Sequence, residues 1–150
     1  MNLNSSFGIS ASGLTAQRLR MDVISSNIAQ AETTRSSVVN GHAVPYRRKM
    51  VVFSPNESNF SNMLQAQMGR EDSTARGVKV TAIQEDATPF KPVYNPSHPD
   101  ADEKGYVYMP NVDITKEMVD LISASRSYEA NVTALNASKA MVMKALEIGR

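Results

Sequence analysis

Residues 114–146 read ITKEMVDLISASRSYEANVTALNASKAMVMKAL, and one set of positions in this stretch recurs at alternating steps of four and three. These positions are Ile114, Met118, Leu121, Ser125, Tyr128, Val132, Leu135, Lys139, Val142 and Leu146. A largely apolar repeat of this kind is typical of a helix that packs against another helix along one seam. The stretch therefore predicts a C-terminal helix about 50 Å long.

Both ends of this helix carry recognisable signals. Pro110 precedes it, either Asn111 or Asp113 can cap its first turn, and Glu117 follows nearby. Gly149 is typical of a helix C-terminus. Residues 111–150 are accordingly predicted to form one helical segment.

The N-terminal segment has the same rhythm in a less regular form. Its seam positions are Phe7, Leu14, Met21 and Ile28 at intervals of seven, with Ile24 and Ala31 between them. Ser10 and Gln17 interrupt the pattern. We expect a helix over roughly 7–34, paired with the C-terminal helix as an antiparallel coiled-coil-like hairpin. The predicted seam consists of Leu14, Met21, Ile24, Ile28, Met118, Leu121, Tyr128, Val132, Leu135, Val142 and Leu146.

Away from the seam, both helices have small side chains where exposed helices usually have charged ones. In the N-terminal segment they are Ser12, Gly13, Ala16, Ser25, Ser26 and Ala29. One interpretation is a solvent face made of short residues. We favour the other, in which the helices have neighbours on several sides, because small residues allow close approach.

Residues 35–110 predict a small β-rich insert between the helices, which makes the fold class α+β. A hairpin is expected at 38–44, where Asn40-Gly41 suits a type I′ turn. Further strands are expected at 47–53, 77–83 and 106–109. The polar stretch 57–76 predicts a short helix or a mobile loop.

Bulk composition excludes several classes of protein. The 150 residues correspond to one domain's length, and the net charge of +1 gives no electrostatic reason to expect nucleic acid as a partner. The absence of cysteine excludes disulfides and thiolate chemistry. No apolar run is long enough to span a membrane, and no cleavable signal peptide is expected.

Groups that could carry chemistry are few and scattered. Asp100–Gly105 begins like an EF-hand loop, but Lys104 and Asn111 stand where oxygen ligands are required. His42 and His98 fit no catalytic spacing, and Arg47–Lys49 is a short basic run. We therefore expect no catalytic, metal or cofactor site, and no small-molecule substrate.

Two blocks of sequence resemble one known family. Residues 12–17 (SGLTAQ) with 21–29 (MDVISSNIA) are similar to the N-terminal signature of flagellar basal-body rod and hook proteins. Residues 111–113, 117–119, 125–131 and 143–149 are similar to its C-terminal block. The short length, with 45–49 and 105–110, points to the proximal rod proteins. Gln30 departs from the family, which usually has a second Asn there.

The resemblance implies a structural subunit that polymerises through its terminal helices into the shaft carrying motor torque to the hook. The implied partners are other rod proteins, copies of itself and the flagellar type III export apparatus. The implied location is the basal body in the cell envelope and periplasmic space, reached without cleavage of a signal peptide. Segments 1–34 and 111–150 would form the rod core, with 35–110 outside it.

Several residues are candidates for recognition rather than chemistry. Asn27, Arg126, Glu129 and Asn131 are predicted to contact neighbouring subunits, and Phe60 with Leu64 resembles a motif read by the export apparatus. Two other interpretations stay open from the residues alone: a self-contained coiled-coil adaptor with the insert as its binding head, and an enzyme with its site in the insert. The adaptor would form a discrete oligomer, whereas a rod subunit would have helices only weakly ordered before assembly.

Overall fold

The computed structural model describes residues 3–39, 42–56 and 77–148. Among these residues, helix α1 (Leu3–Ala29) and helix α2 (Ile114–Ile148) enclose six short strands in the sequence. The strands form three separate two-stranded sheets. The predicted α+β class is confirmed. Neither helix, within the residues described, is apolar enough over a sufficient length to cross a membrane.

Helix α1 ends earlier than its apolar pattern predicted. The last helical residue is Ala29 rather than residue 34. Gln30 N still bonds Ser26 O, but Ala31 N bonds Ile28 O and Thr33 N bonds Gln30 O, one residue closer in each case. The chain therefore leaves the helix through tight turns, and the apolar place at Ala31 lies outside it.

Helix α2 begins at Ile114, directly after Asp113, the later of the two predicted caps. Asp113 Oδ1 accepts hydrogen bonds from Thr115 N at 3.0 Å and Lys116 N at 3.3 Å, which satisfies two backbone donors of the first turn. The helix then continues for 35 residues to Ile148. The predicted stop at Gly149 lies outside the described residues.

The first sheet is the predicted hairpin. Strands β1 (Ser37–Val39) and β2 (His42–Val44) are antiparallel, with Val39 opposite His42. The two-residue connection at 40–41 lies outside the described residues. The prediction of a hairpin over 38–44 is confirmed.

The second sheet pairs β3 (Lys49–Pro55) with β4 (Val78–Glu85). Its flanking backbone bonds, Asp86 N to Arg48 O and Asn56 N to Gly77 O, are those of an antiparallel pair. Both predicted strands exist, displaced slightly toward the C-terminus. The predicted element at 57–76 lies outside the described residues.

The third sheet contains a strand that the sequence analysis missed. Strand β5 (Lys91–Tyr94) pairs antiparallel with the predicted β6 (Tyr106–Met109), and Pro92 faces Tyr108. A proline argues against a strand because it cannot donate a backbone hydrogen bond. In a two-stranded sheet each strand has a free edge, so Pro92 is tolerated there.

The chain packs into two compact units. Unit 1 comprises Met1–Leu19, Val52–Ala82 and Ala124–Arg150, and unit 2 comprises Arg20–Val51 and Ile83–Ser123. Each unit draws residues from the N-terminal, middle and C-terminal parts of the sequence. The predicted division into 1–34, 35–110 and 111–150 is thus a division along the chain, whereas packing combines all three segments.

Within unit 1, small residues of α1 allow close contacts inside the chain. Ser12 Oγ donates to Ile9 O at 2.7 Å and accepts from Val78 N at 3.1 Å. A Cβ atom at Gly77 would lie only 2.5 Å from Ser12 Oγ, so a side chain there would displace the Ser12 hydroxyl from its present position. The Ser12 face of α1 therefore packs on the chain's own β4 segment.

Within unit 2 the core is small and unusually polar. Its buried apolar side chains include Ile24, Tyr46, Val107 and Val112. The largest fully buried side chains of the described residues are Glu117, Asn27 and Pro110. Buried polar groups must be paired to be tolerated, which directs attention to Asn27 and Glu117.

Candidate functional site

Asn27, near the end of α1, is the centre of a buried hydrogen-bond cluster in unit 2. Its side chain is 1% exposed. Asn27 Nδ2 donates to Lys49 O at 2.9 Å, and Asn27 Oδ1 accepts from Lys49 N at 3.0 Å. The amide thus pairs with the backbone of the first residue of β3 in the way that a neighbouring strand would. A carboxylate could not do this, because it lacks the donor.

The side-chain amide of Asn27 forms two further hydrogen bonds. Tyr46 OH donates to Asn27 Oδ1 at 3.0 Å, and Asn27 Nδ2 donates a second time, to Glu117 Oε2 at 3.0 Å. Tyr46 itself is 4% exposed. Asn27 therefore joins α1 to the strand at Lys49 and to the first turns of α2.

Glu117 is a fully buried carboxylate, with no exposed surface. Its Oε2 accepts from Asn27, and its Oε1 accepts from Arg48 Nε at 2.6 Å. The short distance is typical of a charge-assisted bond. A buried charge is costly without a partner of opposite charge, and Arg48 is that partner for Glu117.

Arg48 connects the carboxylate to the surface of unit 2. Its guanidinium also lies 3.4 Å from Asp86 Oδ2 and 3.7 Å from Asp120 Oδ2. Burial opposes the charge of Arg48, but the hydrogen bonds and charges of Glu117 and Asp86 outweigh it and raise the pKa of the guanidinium. Arg48 is therefore permanently charged and held by three carboxylates.

The backbone around Arg48 is fixed by the loop before α2. Asn111 Oδ1 accepts from Arg48 N at 2.8 Å, and Asn111 Nδ2 donates to Thr88 Oγ1 at 2.9 Å. The backbone and hydroxyl hydrogen bonds from Thr88, followed by Arg48, lower the pKa of Asp86. The segment 111–113, expected only to start the helix, thus also positions β3.

A second polar cluster, also in unit 2, surrounds Asp100. Thr34 Oγ1 donates to Asp100 Oδ2 at 3.0 Å, and Arg35 Nε donates to Asp100 Oδ1 at 3.0 Å. His98 Nδ1 accepts from Asp100 N at 3.1 Å. The Arg35 hydrogen bond, with the smaller contribution of Thr34, lowers the pKa of Asp100. The first position of the EF-hand-like stretch therefore anchors its loop to Thr34 and Arg35.

The predicted seam residues differ widely in exposure. Ile24 is buried at 6%, whereas Met118 and Leu146 are exposed at 53% and 66%. The remaining seam residues are partly buried: Leu14, Met21, Ile28, Leu121, Tyr128, Val132, Leu135 and Val142. Gln17, which interrupts the seam, has a buried Oε1 with no hydrogen-bond partner in the part of the chain that the structure describes.

The predicted subunit-contact residues also divide into two kinds. Asn27 lies inside unit 2, with its amide engaged as described. Arg126 and Glu129 form an ion pair of 2.9 Å on the surface, with side chains 78% and 58% exposed. Asn131 Nδ2 donates to Ser127 O at 3.0 Å, and the Asn131 amide lies against Gly13, where a Cβ would be 3.1 Å away.

Other predicted positions have simpler surroundings. Gln30 Nε2 donates to Ser26 Oγ at 3.4 Å, within α1 and the turn that follows it. Lys139 is exposed, and the ion pairs of the described residues do not include it. Phe60 and Leu64, the predicted export motif, lie outside the described residues.

Sequence reasoning missed most of the Asn27 cluster. Glu117 was interpreted as a helix-start signal and Arg48 as part of a basic run, and neither Tyr46 nor Asp86 was singled out. Their sequence separations are large, reaching 90 residues for the bond between Asn27 and Glu117. A contact between residues so far apart in the sequence cannot be predicted from the pattern of neighbouring residues. The cluster joins distant segments of the chain through hydrogen bonds that engage both the donor and the acceptor of the Asn27 amide.

Comparison with known proteins identifies the family to which the chain belongs. Residues 7–35 match the family described as flagella basal body rod protein, and residues 103–148 match that described as flagellar basal body rod FlgEFG protein C-terminal. The flagellar basal-body rod protein FlgC of Bacillus subtilis (strain 168) is 58% identical over 145 residues, covering 97% of each chain. The chain belongs to the FlgC family of flagellar basal-body rod proteins.

Two more FlgC proteins match over almost their whole length. That of Borreliella burgdorferi is 45% identical, covering 99% of this chain and 98% of its own, and that of Escherichia coli O6:H1 is 44% identical over all of both. Asn27 and Glu117 fall in the N-terminal and C-terminal family matches, respectively. The predicted resemblance is confirmed.

Membership in the FlgC family fixes the broad function. The chain is a structural component of the flagellar basal-body rod, and it assembles with other components of the basal body. The adaptor interpretation is not favoured, and the family is a structural one. The buried cluster around Asn27 is therefore a structural feature of a rod protein.

Proposed function

We propose that this chain polymerises, through its terminal helices, with copies of itself and with other rod proteins into the shaft that transmits motor torque to the hook. The observation that carries the proposal is the exposed apolar surface of α2. Large hydrophobic side chains on this helix are 43% to 66% exposed: Ile114, Met118, Val119, Ile122, Met141, Met143 and Leu146. Burying such a surface between subunits would contribute about 25 cal/mol for each Å² removed from water.

The proposal includes the antiparallel coiled-coil-like hairpin of α1 and α2. Two contacts in unit 2 support it: Arg20 Nη2 lies 3.5 Å from Asp120 Oδ1, and Asn27 Nδ2 lies 3.0 Å from Glu117 Oε2. Residue numbers rise along α1 as they fall along α2, which is the order expected for antiparallel helices. In this proposal segments 1–34 and 111–150 form the rod core, and 35–110 lies outside it.

The proposal also covers how the subunit reaches its site. We expect passage through the flagellar type III export apparatus into the periplasmic space, without cleavage of a signal peptide and with Phe60 and Leu64 as the recognised motif. Replacing both residues by alanine should reduce the exported protein without lowering its cytoplasmic level. Immunoblots of cytoplasmic and envelope fractions would measure this, and unchanged export would exclude the motif.

The central test combines circular dichroism with sedimentation of the full-length protein over a range of concentrations. A rod subunit should gain helix as it assembles and should form particles of increasing size. Leu135→Asp should abolish assembly, because it places a charge in the seam, whereas Leu135→Met should preserve assembly. A discrete, concentration-independent oligomer with full helicity would instead favour the coiled-coil adaptor.

A further inference from the structure

We propose one specific contact between copies of this chain: a groove in unit 2 of one copy receives the C-terminal stripe of α2 from a second copy. The proposal rests on the proposed function, namely that the chain polymerises. The groove, here called the acidic groove, has a volume of about 480 Å³. Its lining residues are Asp22, Val23 and Ser26 of α1, Lys49 of β3, and Ile83 and Glu85 of β4.

The acidic groove combines an apolar surface with uncompensated negative charge. Val23 and Ile83 supply the apolar part, and Ile83 is 49% exposed. Asp22 and Glu85 are exposed and take part in no ion pair with the described residues. The Lys49 ammonium lies 5.8 Å from the centre of the Tyr46 ring. The groove thus has two free carboxylates and one ammonium, and it suits an apolar segment with an added positive charge.

The end of α2 offers a segment of this chemistry. Lys139, Met143 and Leu146 follow at steps of four and three and therefore share one helix face. Met143 is 52% exposed and Leu146 is 66% exposed. Lys139 is also exposed and has no carboxylate partner in the described part of the chain. We call these three residues the lysine stripe, and in this proposal Leu146 packs on the neighbouring copy rather than in the seam of its own chain.

Within the described part of the chain, the lysine stripe has an unpaired cation within its own row of side chains, and the N-terminal apolar stripe of α2 does not. The N-terminal stripe, Ile114, Met118 and Ile122, continues to Arg126, whose guanidinium is already paired with Glu129 at 2.9 Å. Near the lysine stripe, Lys144 Nζ binds Glu147 Oε2 at 2.6 Å, so among the described residues at this end of α2 Lys139 is the cation left for a partner. Electrostatic complementarity of this kind selects partner and register.

The proposed contact has the symmetry that a polymer needs. Groove and stripe are different patches of one chain, so each copy can receive one neighbour and be received by another. Such a head-to-tail contact generates an open assembly unless the rotation closes a ring. A self-complementary patch would end at a dimer.

Charge reversal tests the contact. Asp22→Lys with Glu85→Lys should raise the critical concentration for assembly on the order of tenfold, and Lys139→Glu alone should do the same. Combining the three substitutions in one chain should restore assembly, because attraction is re-established with opposite signs. Lys144→Glu is the matched control and should have a smaller effect that the groove substitutions do not rescue. Failure of the combined chain to recover would overturn the contact.

A cross-link provides a second, independent measurement. The natural chain has no cysteine, so Ile83→Cys in one preparation and Met143→Cys in another introduce single thiols. After mixing and mild oxidation, a dimer of unlike chains should form well above the amount of either like dimer, because a disulfide requires Cα atoms within about 7 Å. If the wild-type chain polymerises but the mixed cysteine variants form no cross-link, the contact is overturned and the proposed function stands. Absence of both polymers and cross-link would overturn both.

Discussion

The two ends of helix α2 differ in what holds them. At the N-terminal end Glu117 is fully buried, and its carboxylate bonds Asn27 of α1 and Arg48 beside β3. At the C-terminal end, residues 139–147 are exposed except for the partly buried Val142. One helix thus has an end fixed by its own chain and an end with little to pack against.

The difference shows that the fold of the single subunit and the assembly between subunits depend on different interactions. Buried, directional hydrogen bonds define one geometry and are costly to leave unpaired. Exposed apolar side chains define no single geometry but gain free energy against any complementary surface. A subunit that pairs the buried polar groups around Asn27 internally and leaves apolar side chains of α2 exposed is suited to polymerisation. Four substitutions test this contrast.

The largest effect is expected from Glu117→Ala. Removing the buried carboxylate takes from Arg48 the nearest of its three carboxylates and leaves an amide hydrogen of Asn27 without a partner, which should cost about 3 kcal/mol of unfolding free energy. Urea denaturation of the dilute full-length protein would measure it. Glu129→Ala, on the exposed part of the same helix, is the control and should cost less than about 1 kcal/mol. Equal losses would show that the N-terminal end of α2 is not held by this cluster.

Asn27→Ala should have the next largest effect, about 2 kcal/mol, because Lys49 N, Lys49 O and Tyr46 OH lose their partner and water can replace only part of it. The same denaturation experiment applies, with Asn136→Ala on the exposed surface of α2 as the matched control. Asn136→Ala should be neutral or slightly stabilising, since alanine is the better helix former. Little loss for Asn27→Ala would contradict a central role for this amide.

A smaller, pH-dependent effect is expected at Asp100. Its lowered pKa means that the ionised side chain stabilises the folded state at pH values above its unfolded pKa, and that this stabilisation is lost as the pH falls through the folded pKa. Asp100→Asn should therefore be less stable than the natural chain at pH 7, and the difference should shrink below about pH 4. Thermal unfolding at both pH values measures this. Arg35→Gln should show the same dependence, and a pH-independent difference would argue against the pairing.

The smallest effect on the single subunit is expected at the other end of α2. Leu146→Ser removes an exposed apolar side chain and should change the unfolding free energy by less than about 0.5 kcal/mol. It should nevertheless raise the critical concentration for assembly. The contrasting control is Ile24→Ser, at a buried position, which should unfold the subunit more readily. A large stability loss for Leu146→Ser would show that the C-terminal end of α2 is also held by packing within its own subunit.

Much of the architecture was predictable because it depends on local patterns. The four-and-three repeat predicted α2, the candidate caps Asn111 and Asp113 predicted its start to within a few residues, and Asn40-Gly41 between apolar residues predicted the first hairpin. Strand β5 was missed because Pro92 is unfavourable inside a sheet, and only its edge position makes it acceptable. The end of α1 was placed too late because Ala31 continues the apolar pattern, whereas the backbone has already turned.

By itself, the sequence determined the class of the fold, the long C-terminal helix and the family, since periodicity, capping residues and motifs are all properties of neighbouring positions. Only the tertiary structure decided that Asn27, Tyr46, Arg48 and Glu117 meet. Their contact depends on how distant segments pack, and the free energy of a buried charge depends on partners that no local pattern specifies. For the same reason, the exposure of Leu146 and the burial of Ile24, two members of one predicted seam, became distinguishable only in the folded chain.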